Sequence, residues 1–202
     1  MQSEEKEDFL TKLEALQEQA DMVLFCGSVP PSFEEFYEEA LFRCRGRKVI
    51  IDGRGKKLLK LPLYPFGVKM NREEGAITFG QPLNDLKTFF TFFYKREVQV
   101  VILTLGQRGA ILGGEEDFFF AKPPEVTTVN PVGSGDAFLV GFVFGLTRYG
   151  SLGEALRFGT AAGTWNAMVW EAGRVERDLL FALAQKVRVH HMGKKLSEGF
   201  SL

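Results

Sequence analysis

Cysteine and histidine are scarce in this chain of 202 residues, with two of each. Cys26 and Cys44 are too few for a disulfide framework, and the usage fits reduced thiols in a cytoplasm. His190 and His191 have no matching ligands elsewhere, so a histidine-built metal site is not expected. A surplus of charge is also missing: 25 Lys and Arg stand against 26 Asp and Glu, for a net charge of −1. That balance gives no reason to expect nucleic acid or an anionic membrane as a partner. No apolar run approaches the length of a membrane span. There are no internal repeats and no low-complexity linker. The glycine pattern is neither a Walker A loop, since no Gly-Lys-Ser/Thr occurs, nor a Rossmann Gly-x-Gly-x-x-Gly fingerprint.

What is present suits one α/β domain. Hydrophobic residues make up 45% and charged residues 25% of the chain, enough to bury an ordinary core. Helical and extended patterns alternate. An acidic amphipathic helix is expected over 3–20, with Phe9, Leu10, Leu13 and Leu16 on one side. Short strands are expected at 22–26, 48–52, 64–70 and 98–104. Ser32 and Glu35 suggest a capping box opening a helix to about Cys44, and a further helix spans 83–96. A hairpin-like pair follows at 110–113 and 117–121. A β-branched run, 126–129, reads as a strand, and 138–149 as a helix. Ser151 and Glu154 suggest a second capping box, with a helix to about Glu171 stopped by Gly173. A last helix covers 176–189, and 190–202 reads as a polar tail. Strands alternating with crossover helices imply a mostly parallel sheet with helices on both faces. Ligands then belong at the carboxyl ends of the strands.

The most informative stretch is Asn130-Pro131-Val132-Gly133-Ser134-Gly135-Asp136-Ala137-Phe138. It places a glycine-rich turn before a helix. The first-turn N–H groups have no intrahelical partner, and the helix dipole adds positive character, so the turn suits a phosphate. Asp136 would stand beside that cradle as a general acid/base or metal-associated group. The plainer alternative is a glycine turn with an acid favouring the helix dipole.

The run closely resembles the second signature of the ribokinase-like, phosphofructokinase B-type carbohydrate kinases. Other segments agree in order. Gly27-Ser28-Val29-Pro30-Pro31 resembles a Gly-Ser-Leu-Pro-Pro loop. Lys69-Met70-Asn71-Arg72-Glu73-Glu74 resembles a Lys-Pro-Asn-x-x-Glu segment, with Met70 where proline is usual. Thr104-Leu105-Gly106-Gln107-Arg108-Gly109-Ala110 resembles a Ser-Leu-Gly-x-x-Gly-Ala turn. Ala161-Ala162-Gly163-Thr164-Trp165-Asn166-Ala167 resembles the helix closing the nucleotide pocket. Within the family the chain is most similar to the 1-phosphofructokinase and tagatose-6-phosphate kinase branch.

The resemblance implies a ribokinase-like core over 1–189 and ATP-dependent phosphorylation of a sugar phosphate, with ATP and Mg2+ as cofactors. It implies Asp136 as the base and the backbone of Gly133, Ser134 and Gly135 around the transferring phosphoryl group. It implies Asn71 and Glu74 near magnesium, although on the residues alone they could be a turn with a capping acid. Lys69, Thr104, Gly106, Gly109 and Asn166 would line the nucleotide, and Ser28 would contact the sugar phosphate. Met70 is expected to leave the Lys69 loop less restrained. Asp52 is a strand-end residue not included in the site. The segment carrying the family's lid and Gly-Gly-Lys-Gly sugar signature has no match here, so the chain reads as a C-terminal portion of that fold. Its partners would be a homo-oligomer or a complementing N-terminal fragment. The other function class is a non-catalytic nucleotide-binding or assembly module.

Overall fold

In a computed structural model, residues 3–27, 29, 35–113 and 117–193 are described. Seven strands follow one another in a sheet in chain order. The chain divides into two compact units, Met1–Val101 and Ile102–Leu202.

The first unit opens with helix α1, Ser3–Gln17, which ends short of the expected Ala20. Of its expected apolar side only Leu10 is buried; Phe9 and Leu16 are exposed. Ion pairs Lys6–Glu39, Arg43–Glu7 and Arg43–Glu14 link it instead to α2, Phe36–Arg43. The helix therefore docks through buried Leu10, a tilted ring contact between Phe9 and Phe36 of α2 at 5.4 Å, and a charged seam. The capping box expected at Ser32 lies outside the described residues, and Glu35, the residue at the N-cap, makes no side-chain cap. Strand β1, Met22–Phe25, pairs parallel with β2, Lys48–Asp52, which pairs parallel with β3, Gly67–Asn71. Val49, Ile50, Ile51, Val68 and Met70 are almost wholly buried, the signature of parallel strands covered on both faces. A short helix, α3, spans Arg72–Phe79, and α4 spans Leu86–Tyr94. Phe89, Phe90 and Phe93 are the largest buried side chains of α4, and Phe79 of α3 packs on Phe89 and Phe93.

The second unit holds most of β4, Val100–Thr104, then β5, Ala110–Gly113, and β6, Phe118–Lys122, which form the expected antiparallel pair. Helices α5, Ser134–Tyr149, and α6, Leu152–Met168, pack against each other unusually closely. A Cβ on Gly141 would stand 2.6 Å from the Phe158 carbonyl, one on Gly145 2.8 Å from that of Glu154, and one on Gly163 3.0 Å from that of Ser134. Small residues thus set the helix spacing and bring α6 against the first turn of α5. Ser151 caps α6 through the Glu154 N–H, but Glu154 binds Arg157, so only half of the expected capping box forms.

Four expectations in this unit need correction. Residues 126–129 form no strand: the N–H groups of Val129 and Asn130 both donate to the Ala167 carbonyl, at 2.7 and 3.1 Å, so the end of α6 takes the donors a ladder would use. Helix α6 stops at Met168 with extended Val169 as its C-cap, not at Gly173. The last helix, α7, covers only Arg177–Ala184. Part of the expected tail is strand β7, Arg188–Gly193, antiparallel to β6. His190 stacks on Phe120 and His191 on Phe119, while His191 Nε2 lies 2.8 Å from an Asp117 oxygen. Residues 194–202 lie outside the described region.

Candidate functional site

The expected site residues fall into two groups, one in each unit. In the first unit they gather at the carboxyl ends of β2 and β3. Asp52 closes β2 directly opposite Lys69 of β3. Lys69 is 3% exposed, and its Nζ donates to Asp52 Oδ2 at 2.5 Å. A buried ammonium requires such a counter-charge, so the pair fixes Lys69 firmly in the strand. Met70 is fully buried in the same strand, which corrects the expectation of a less restrained Lys69 loop. The apolar residue holds β3 in the core, and no proline is needed.

Asn71 and Glu74 form a reciprocal cap at the start of α3. Asn71 Oδ1 accepts the Glu74 N–H at 2.9 Å, and Glu74 Oε2 accepts the Asn71 N–H at 2.7 Å. This is the capping alternative, and it consumes one oxygen of each side chain. Among the described residues no group of three or more His, Cys, Asp or Glu is placed to hold a metal. An all-protein metal cage is therefore not built here. The donor set fits an ion that is carried mainly by phosphate and water, as magnesium usually is.

Tyr37 of α2 joins this group without having been expected. Its pKa is pushed up to about 12, first by burial and then by the negative charge of Asp52, Cys26 and Glu74. A Cβ on Gly53 would lie 2.6 Å from the Tyr37 hydroxyl, so the glycine after Asp52 is there for the ring. Asp52 at the end of an apolar strand was the available sequence signal; Tyr37 gave none. Ser28 lies outside the described residues. No disulfide joins the exposed Cys26 to the buried Cys44, whose thiol pKa is raised by burial.

In the second unit the glycine turn leads into a helix, as its sequence suggests. Gly133 is the N-cap of α5 at φ +78°, a left-handed conformation that favours glycine. The Ser134 N–H donates to the Pro131 carbonyl at 3.2 Å, closing the turn. The N–H groups of Gly135 and Asp136 stand in the first turn, where the helix supplies no carbonyl for them. Asp136 is exposed beside them. Gln107 Nε2 reaches Thr128 Oγ1 at 3.2 Å and ties the turn after β4 to the segment leading into the glycine loop. That turn follows Thr104, and its two glycines differ. Gly106 has nothing within 4 Å of its missing Cβ, whereas a Cβ on Gly109 would strike the Ala121 carbonyl at 1.9 Å. The Gly106 position faces open space; Gly109 leaves room for β6.

Asn166 is fully buried on α6. Its Nδ2 donates to the Val132 carbonyl at 2.7 Å and to Ser134 Oγ at 3.1 Å, and its Oδ1 accepts the Gly173 N–H at 2.7 Å. Its amide is engaged on three sides by protein.

The profile of the pfkB family carbohydrate kinases matches residues 1–173. A 1-phosphofructokinase of Bacillus subtilis is 32% identical over 175 residues, covering 83% of this chain and 57% of that protein. A tagatose-6-phosphate kinase of Staphylococcus epidermidis is 26% identical, covering 92% of this chain and 63% of that one. The chain thus spans a little over half the length of these relatives. Phosphofructokinase-2 from Escherichia coli shares the fold, with a TM-score of 0.75 at 23% identity over 89% of this chain and 62% of that one. With a ribokinase-like α/β fold and a family profile matched across most of its length, the chain belongs to the pfkB family of carbohydrate kinases.

Proposed function

We propose that this chain carries the nucleotide-binding and base-bearing side of an ATP-dependent kinase acting on a sugar phosphate, of the 1-phosphofructokinase or tagatose-6-phosphate kinase type. The observation that supports it best is the start of α5, where a left-handed Gly133 delivers two first-turn N–H groups and the exposed Asp136 to one place. Phosphoryl transfer needs positioning and charge stabilisation more than covalent help from the protein. The N–H groups of Gly135 and Asp136 hold oxygens of the transferring group, and Gly133 and Ser134 shape the turn that aims them. Asp136 accepts the proton of the attacking sugar hydroxyl as its oxygen bonds to the γ-phosphorus and ADP departs. Thr104 and Gly106 border the nucleotide phosphates, with Gly109 fixing their turn against β6. Lys69, Asn71 and Glu74 serve the phosphates and the waters of magnesium. When bound with the nucleotide, magnesium supplies positive charge to the phosphate oxygens.

Substrate and ATP would be the small-molecule partners, in the cytoplasm. A homo-oligomer or a complementing N-terminal fragment would be its protein partner. No helix among the described residues is long and apolar enough to cross a membrane. Titration of the folded chain with MgADP and MgATP by calorimetry tests the first half of the reading. Saturable binding that weakens when magnesium is withdrawn is expected. No heat at millimolar nucleotide from a folded sample would contradict it.

A further inference from the structure

We infer that Asn166 is a positioning residue that moulds the phosphate cradle onto the end of α6, and that it does not contact the nucleotide base. The inference rests on the kinase reading above for what the cradle binds, but its geometry stands without it. The segment 129–134 has no strand to support it, because its donors leave the sheet for α6. Ala167 O takes the N–H groups of Val129 and Asn130, and Trp170 O takes Asn130 Nδ2 at 3.0 Å. These carbonyls belong to the last turn of α6 and the residues after it, where helical partners run out. The loop therefore satisfies the helix end, and the helix end fixes the start of the loop.

Asn166 fixes the rest. Its two donor bonds grip residues on either side of Gly133: the carbonyl of Val132 and the hydroxyl of Ser134. A Cβ built on Gly133 lies 3.6 Å from Asn166 Oδ1 and 3.3 Å from the Ala172 side chain, so the turn is pressed against this same support. Its acceptor bond to Gly173 N–H holds the segment after α6 in the same clamp. One amide thus joins the glycine turn, α6 and the 169–173 segment. With both Nδ2 contacts already made to protein and the residue fully buried, little of the side chain remains to recognise a base. Aspartate has nearly the same shape but lacks the two donors, and an alanine lacks all three bonds. Either change should leave the first-turn N–H groups of α5 less well aimed.

The test uses Asn166→Asp and Asn166→Ala in the full chain, well below each variant's Tm. Amide hydrogen exchange is read first without ligand. The bonded amides of Val132 and Ser134 should exchange at least about tenfold faster in both variants, as expected when the two bonds that hold the turn are lost. Amides of β5 should be unchanged, which a general loss of stability would not produce. Affinities for MgADP and for adenosine are then compared. MgADP should weaken about tenfold while adenosine changes less than about twofold. Equal weakening of both would make Asn166 a base contact and overturn the inference. Unchanged exchange at Val132 and Ser134 would overturn it as well, and so would failure of both variants to fold, which would make Asn166 a packing residue. Absence of nucleotide binding by the parent chain would count against the kinase reading, and the exchange result would still decide for or against the clamp.

Discussion

At the scale of single residues, the buried Tyr37 and the half-buried Tyr94 show how burial becomes a measurable property. Tyr37 and Tyr94 both have phenol pKa values raised chiefly by burial, Tyr37 to about 12 from 10.0. Below pH 10 the phenol is protonated in both folded and unfolded chains, and its contribution to stability is complete. Between pH 10 and 12 the unfolded chain releases the proton while folded Tyr37 keeps it, so stability falls as pH rises. The slope from one such group is at most about 1.4 kcal/mol per pH unit. Urea denaturation at pH 9 and pH 11 should therefore show a smaller loss for Tyr37→Phe than for the parent, with Tyr94 supplying part of the remainder. Equal losses would mean that Tyr37 titrates normally.

Residue types announced some of this site and hid the rest. The turn at Gly133 was legible as a glycine turn before a helix, and Asp136 stands in its first turn, a position that the base and dipole-partner readings share. Lys69 was read as lining the nucleotide from a loosely held loop, and its buried pairing with Asp52 depends on the β2–β3 register, which no local pattern encodes. The Asn71 and Glu74 pair was legible as a spacing, and both the capping and the magnesium readings share it. Asn166 was read as lining the nucleotide; the acceptors of its two donor bonds lie 32 and 34 positions away in sequence.

At the scale of elements, the contact between α5 and α6 governs the cradle. Gly141, Gly145 and Gly163 let the helices approach until backbone meets backbone. Replacing Gly141 by alanine improves helix propensity by about 1 kcal/mol but drives a methyl group into the Phe158 carbonyl and Ala162. Overpacking of this kind costs roughly 1–3 kcal/mol. Gly141→Ala should therefore lower stability in urea denaturation; a more stable variant would show that the helices separate freely. Most strands and helices were legible in order because their apolar periodicity is strong. Failures cluster where tertiary bonds overrode local preference: 126–129 gave its donors to α6, and the histidines of 188–193 found aromatic partners on β6. Helix α3 was missed because a short helix opened by the Asn71–Glu74 cap carries little apolar signal of its own.

At the scale of the whole molecule, the chain spans a little over half of its curated relatives, and the proposed nucleotide side consists of the Gly133 turn, the exposed Asp136 and the turn after β4. The central claim is that these parts belong to a phosphoryl-transfer site with Asp136 as base. It is tested most directly by ADP release from MgATP with fructose 1-phosphate, fructose 6-phosphate and tagatose 6-phosphate. The assay uses the chain combined with the N-terminal segment of a 1-phosphofructokinase relative, and compares the parent with Asp136→Asn. The account predicts sugar-dependent turnover by the pair, reduced at least about a hundredfold by Asp136→Asn, with MgADP affinity little changed. Near-parent turnover in the Asn variant, or no turnover with any of the three sugars from a folded pair that binds MgADP, would contradict it.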